Sequence, residues 1–178
     1  MRFEILGREV SYQGRAFDVQ RVHFRLPDGK QKVYDLVDHA DSISLLPLDE
    51  QGNLLFVEQY RVGADAAMLE LPAGVLEPGE DAQAGAAREL REETGMAAGR
   101  LTRLGGFYLA GGYCNEFMTI FLAQDLYPDP LPQDDGEFLT LVRLPWQQAL
   151  AMAQRGELND AKTLAALLLL QAHWPPNV

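Results

Sequence analysis

The stretch Gly74 to Met96, GVLEPGEDAQAGAARELREETGM, constrains this chain more than any other. It opens as a loop punctuated by Pro78 and Gly79, passes through Glu80 and Asp81, and becomes an alanine-rich segment whose composition predicts a helix. Asp81 is suited to cap that helix and Gly95 to stop it. On a helix, Glu89 lies one turn before Glu92 and Glu93, so the three carboxylates share a face. Ala86, Ala87 and Leu90 form a narrow apolar stripe opposite them, small enough for close packing on a sheet. Clustered acids repel one another, and a cation between them relieves the repulsion. The pattern therefore reads as a hard-metal site with oxygen ligands. A Glu-rich helix is more often only a solvated face held by i,i+4 pairs, and Arg88 with Glu92 is such a pair. That plainer reading leaves the placement of Gly74, Glu80 and Gly95 without a reason.

A chain of 178 residues suits one domain with a substantial core. Its net charge of -11 argues against nucleic acid or an anionic membrane as a partner. Cys114 is the single cysteine, which excludes an intrachain disulfide and any multi-cysteine metal site. The opening MRFEILGREV lacks the apolar run of a signal peptide, and Leu164 to Leu170 is too short to span a bilayer. A cytoplasmic enzyme is the expectation.

In chain order, residues 1–40 read as an antiparallel β section. Phe3 to Tyr12 and Ala16 to Leu26 look like strands, and the second changes hydrophobic parity midway, which predicts a bulge or a strand passing from one sheet to another. Pro27-Asp28-Gly29-Lys30 marks a turn, with Lys32 to Val37 as the returning strand. Ser42 to Leu48 and Asn53 to Tyr60 are apolar strands joined by Asp49 to Gly52, which predicts a hairpin. Arg61 at the end of the second is either a solvated residue or a grip for phosphate, and the pattern does not choose. Glu70, in the apolar MLELP, is expected either to pair with a cation such as Arg88 or to ligate a metal.

Leu101 to Leu109 and Glu116 to Leu126 are further strands. The Gly111-Gly112 loop between them is either a plain connection or a mobile active-site loop, and Cys114 within it reads as passive. A Pro- and Asp-rich loop follows over Tyr127 to Gly136, then a strand over Phe138 to Leu144 and a helix from Pro145 to about Arg155. Asn159 is expected to cap a last helix, Asp160 to His173. His23, His39 and His173 are scattered and read as packing or surface residues.

Gly74, Glu80, Arg88-Glu89-Leu90, Glu92-Glu93, Gly95 and Met96 match every position of the Nudix box, so the chain is identified as resembling Nudix hydrolases. VEQYR at Val57 to Arg61, LELPAG at Leu69 to Gly74, GELNDAKTLAALLLL at Gly156 to Leu170 and the N-terminal strands are similar to the ADP-ribose pyrophosphatase branch. One position departs: many ADP-ribose members carry a proline in the loop after the box, where this chain places Gly111.

The resemblance implies an α/β fold, an α/β/α sandwich around a mixed sheet, with residues 1–40 as an appended β section and 41–178 as the Nudix domain. It implies that Glu89, Glu92, Glu93 and the Ala73 carbonyl hold Mg²⁺, with Mn²⁺ as substitute, that Glu80 supports that site and that Arg88 orients its carboxylates. Glu116 matches the loop acid that serves as base, with Glu92 or Glu93 in reserve. Arg61 matches a phosphate-contacting arginine, and Glu70 lies beside it in the substrate-binding set. The implied reaction is hydrolysis of a nucleoside-diphosphate sugar, ADP-ribose first and other ADP- or GDP-sugars second, by a homodimer whose N-terminal strands reach the partner. A Nudix-fold ligand sensor without catalysis is the competing class.

Overall fold

The computed structural model describes residues 2–133, 136 and 138–173. They fall into two compact units, Met1–Asp41 with Phe107–Phe117, and Ser42–Gly106 with Met118–Val178.

The first unit holds a three-stranded antiparallel sheet, β1 (Glu4–Gln13), β2 (Asp18–Arg25) and β3 (Gln31–Asp38), in that order. The turn falls where Pro27-Asp28-Gly29-Lys30 demands it, with Leu26 N–H donating to the Lys30 carbonyl at 2.7 Å. The bulge expected in the second strand is elsewhere. β2 pairs with β3 without a break, and the register shifts lie in β1, at Ile5/Gly7 and Val10/Tyr12. Alternation misled because no residue of this sheet is fully buried, so neither face of β2 selects one parity.

The loop bearing Glu116 is tied to the end of β3. Val37 N–H donates to the Tyr113 carbonyl at 2.7 Å, His39 N–H to Asn115 Oδ1 at 2.9 Å, and Phe117 N–H to Asp41 Oδ1 at 3.2 Å.

The second unit is built on two sheets. One has the order β7 (Ala73–Val75), β4 (Ser42–Pro47), β9 (Phe117–Pro128), β8 (Met96–Tyr108). β4 runs parallel to β9 and antiparallel to β7, so this sheet is mixed. The other has the order β10 (Thr140–Pro145), β5 (Asn53–Arg61), β6 (Ala66–Glu70), all antiparallel. β4 and β5 were expected to form one hairpin. Asp49 and Gly52 do close a turn, but only a Leu48–Leu54 bridge joins the two strands before they enter different sheets. Both are buried on both faces, and two-sided strands are what a layered fold needs between its helices.

Helix α1 (Ala82–Thr94) packs on β4 and β7, with Ala86 and Leu90 against Ile43, Leu45, Phe121 and Ala123. Helix α3 (Ala161–His173) also packs on β4, and α2 (Trp146–Gln154) lies on β10. This is the expected sandwich around a mixed sheet. Truncating Leu90, which is fully buried, would cost about 2–5 kcal/mol.

Three local expectations are corrected. Ala87 is exposed, and Gly85 takes its place on the packed face because the helix period brings 82, 86, 89–90 and 93 inward rather than 87. The cap of α3 is Asp160, not Asn159: its Oδ2 accepts from Thr163 N–H at 3.0 Å. β9 continues through Tyr127 and Pro128, so the loop expected there starts later, and its Asp134 and Asp135 lie outside the described residues.

Candidate active site

The box forms β7, a loop and α1. Asp81 caps the helix by accepting from the amides of Gln83 and Ala84 at 2.9 and 3.2 Å. Gly95 ends it in the left-handed region at φ 71°, where a side chain would be strained. Gly74 meets a different demand. A Cβ there would fall inside the Glu89 carboxylate, so the missing side chain makes the cradle in which Glu89 rests.

Arg88 gathers the acids around itself. Its Nη1 donates to Glu89 Oε1 at 2.7 Å and to Glu92 Oε2 at 2.8 Å. Its Nε and Nη2 fork onto Glu80 Oε1 and Oε2, both at 3.0 Å, and Nη2 also reaches the Val75 carbonyl at 3.2 Å. Its hydrogen bonds to Glu80 first, then to Glu89 and Glu92, hold the guanidinium even more firmly protonated than usual. The reciprocal bond from Arg88 keeps the Glu80 carboxyl below its ordinary value. Glu93 is turned the other way, buried, with Oε2 accepting from Ala73 N–H at 2.9 Å.

Three carboxylates thus share one guanidinium. Among the described residues no three of His, Cys, Asp and Glu converge closely enough to ligate one ion in this arrangement, in which Arg88 supplies the positive charge. The donor chemistry still fits a hard divalent cation. The donors that a cation would meet are carboxylate oxygens on a rigid helix, and the Ala73 backbone lies beside Glu93.

A second cluster, unforeseen in its membership, sits at the end of β5. Arg61 Nε and Nη2 fork onto Glu70 Oε1 and Oε2 at 2.7 and 2.8 Å. Glu70 is 1% exposed, and its other partner is Lys162 of α3, whose Nζ also lies 3.0 Å from Asp160 Oδ2. The cation expected for Glu70 was Arg88; the structure supplies Arg61 and Lys162 instead. Burial pushes the Glu70 carboxyl up, but the Arg61 and Lys162 bonds and charges prevail and hold it below its ordinary value. The signal for Lys162 lay in the sequence as Asp160-Ala-Lys162 at the mouth of an otherwise apolar helix. A lysine there either points to solvent or is buried against acids, and the chain pattern does not say which.

Glu116 belongs to the first unit, where its Oε2 is 3.7 Å from His39 Nδ1, and that nitrogen is 2.7 Å from the Ala40 carbonyl. Cys114 is buried and its Sγ accepts from Glu116 N–H at 3.4 Å, in keeping with a passive role.

Comparison with known proteins gives the family. The family model for the NUDIX domain matches residues 38–167. An ADP-ribose pyrophosphatase of Bacillus subtilis (strain 168) is 32% identical over 168 residues, spanning 93% of this chain and 91% of that protein. A GDP-mannose pyrophosphatase of Yersinia pestis (strain Pestoides F) is 29% identical over 158 residues, 83% of this chain and 79% of that one. The crystal structure of an ADP compounds hydrolase superposes with a TM-score of 0.85 at 30% identity, covering 97% of this chain and 94% of the other. With the box complete on β7 and α1, the chain belongs to the NUDIX family of hydrolases.

Proposed function

We propose that this chain hydrolyses the diphosphate of ADP-ribose to AMP and ribose 5-phosphate, using Mg²⁺, with Mn²⁺ able to substitute. The observation that carries the reading is the gathering of Glu80, Glu89 and Glu92 around the one guanidinium of Arg88. Glu89, Glu92, Glu93 and the Ala73 carbonyl would hold the ion, with Glu80 and Arg88 keeping the carboxylates in place. Once bound, such an ion neutralises the diphosphate and makes a water more acidic.

The protein's own residues do the rest. Arg61, whose side chain is 43% exposed while fixed by Glu70, grips a phosphate oxygen. A carboxylate base takes a proton from water as its oxygen bonds to one phosphorus. The bridging P–O bond then breaks and its electrons leave with the second phosphate. Glu116 is assigned as that base from the likeness of its loop, and Glu92 or Glu93 takes the role if Glu116→Gln keeps full turnover.

A second reading, a GDP-sugar or another ADP-sugar as substrate, draws on the GDP-mannose relative and on Gly111 standing where a proline was expected. Residues 1–40 are assigned to pairing with a second copy, a reading supported by the exposed Phe3, Ile5, Val10 and Tyr12. Among the described residues no helix is long and apolar enough to cross a membrane, and the expected cytoplasmic location remains a proposal.

The test is hydrolysis of a nucleoside-diphosphate-sugar panel with and without Mg²⁺. Mg²⁺-dependent release of AMP, fastest with ADP-ribose, supports the reading. Faster GDP-sugar turnover shifts it to the second, and binding without turnover would mark a ligand sensor.

A further inference from the structure

Glu70 is almost fully buried, yet two cations reach it, Arg61 on both carboxylate oxygens and Lys162 on Oε2. Arg61, on β5, uses Nε and Nη2 for the fork. Lys162, on α3, is itself 9% exposed and is shared between Glu70 and Asp160. Asp160 has a further task, since it caps α3 through Thr163 N–H and also accepts from Thr163 Oγ1 at 2.6 Å. Thr163 Oγ1 accepts in turn from Leu71 N–H at 2.9 Å, so the start of α3 is fastened to the chain leaving β6.

Arg61 and Lys162 face Glu70 and Asp160, and Glu93 adds a further negative charge that acts on Arg61, but the charges do not have the same outlook. Lys162 and Glu70 are enclosed, whereas the Arg61 guanidinium is the member that meets solvent. Without Lys162, the full charge of Glu70 would fall on Arg61 and cancel much of its attraction for an anion. With Lys162 in place, Glu70 still fixes the fork while part of its charge is taken up by the ammonium.

We infer that Lys162 is a positioning residue for substrate affinity: through Glu70 it holds the Arg61 fork in place and preserves the pull of that guanidinium on a phosphate. The inference rests on the phosphate role given above to Arg61. Asp160 then acts in the opposite sense, since it draws on the same ammonium.

The test compares KM and kcat for ADP-ribose in Arg61→Ala, Lys162→Met, Lys162→Arg and Asp160→Asn. Each variant is assayed below its own melting temperature in the full chain. Lys162→Met should raise KM about tenfold with kcat nearly unchanged, the signature of lost uniform binding. Lys162→Arg should restore most of that loss. In the Arg61→Ala background, Lys162→Met should add little. Asp160→Asn keeps a good cap but withdraws the competing charge, so it should lower KM. That direction is one that a merely destabilised protein would not produce, and it carries the test if Lys162→Met fails to fold. An unchanged KM in folded Lys162→Met, or a KM in Asp160→Asn that is not lowered, overturns the inference while Arg61→Ala still raises KM. An unchanged KM in Arg61→Ala overturns the phosphate role of Arg61 itself, and the inference with it.

Discussion

The second unit holds two clusters of glutamate and arginine that look alike in sequence and differ in charge balance. Around Arg88, three carboxylates lean on one guanidinium, and the side chains are 12–25% exposed. Around Glu70, two carboxylates meet two cations, and Glu70 and Lys162 are 1% and 9% exposed. The buried cluster is neutral because an unpaired charge in that setting would cost several kcal/mol. The more open one tolerates an excess of negative charge because solvent screens part of it and a divalent cation can take up the rest. An acid cluster is therefore read by its unmatched charge rather than by the number of its acids.

The contrast is broken most sharply by substitutions that remove one acid from each side. Glu92→Gln or Glu93→Gln should lower turnover by about two or more orders of magnitude. Glu92→Gln should leave the urea midpoint close to wild type, since its carboxylate is partly solvated. Near-normal turnover in both variants would contradict the metal assignment.

Glu70→Ala should do the reverse. It leaves Lys162 with Asp160 as its remaining carboxylate and Arg61 without its fork, and urea unfolding should show a loss of about 3 kcal/mol. The carboxyl of Glu70 lies below its ordinary value when folded, so its contribution is present above the ordinary glutamate range and is lost as pH falls through the folded value. The acid limb of stability against pH should accordingly be shallower in Glu70→Gln than in wild type.

A smaller effect is expected from Gly74→Ala, whose methyl group must displace the Glu89 carboxylate. Divalent-cation affinity, measured by calorimetry, should weaken by about tenfold with the fold retained. Unchanged affinity would mean that Glu89 needs no cradle.

One side of this contrast was legible in the chain. The box gave α1 with both its ends, because Asp81 and Gly95 are local signals whose outcome depends on few distant contacts. The mixed sheet and its flanking helices followed from the same resemblance. What escaped were matters settled by tertiary partners. β4 and β5 part into different sheets although their linker is a good turn, because each is covered on both faces. Lys162 joins Glu70 across a separation of 92 residues, which no periodicity records. Ala87 and Gly85 exchanged places because a stripe of small residues does not mark its own edge, and only the packing of Leu76 beside Gly85 defines it.

The central claim is that unmatched charge around Arg88 makes a divalent-cation site and that the neutral cluster around Glu70 does not. Calorimetric titration of Mg²⁺ into wild type, Glu92→Gln and Lys162→Arg, all without nucleotide, tests it most directly. The account predicts binding to wild type, binding weakened by about tenfold or more in Glu92→Gln, and wild-type affinity in Lys162→Arg. Equal Mg²⁺ affinity in wild type and Glu92→Gln would contradict it.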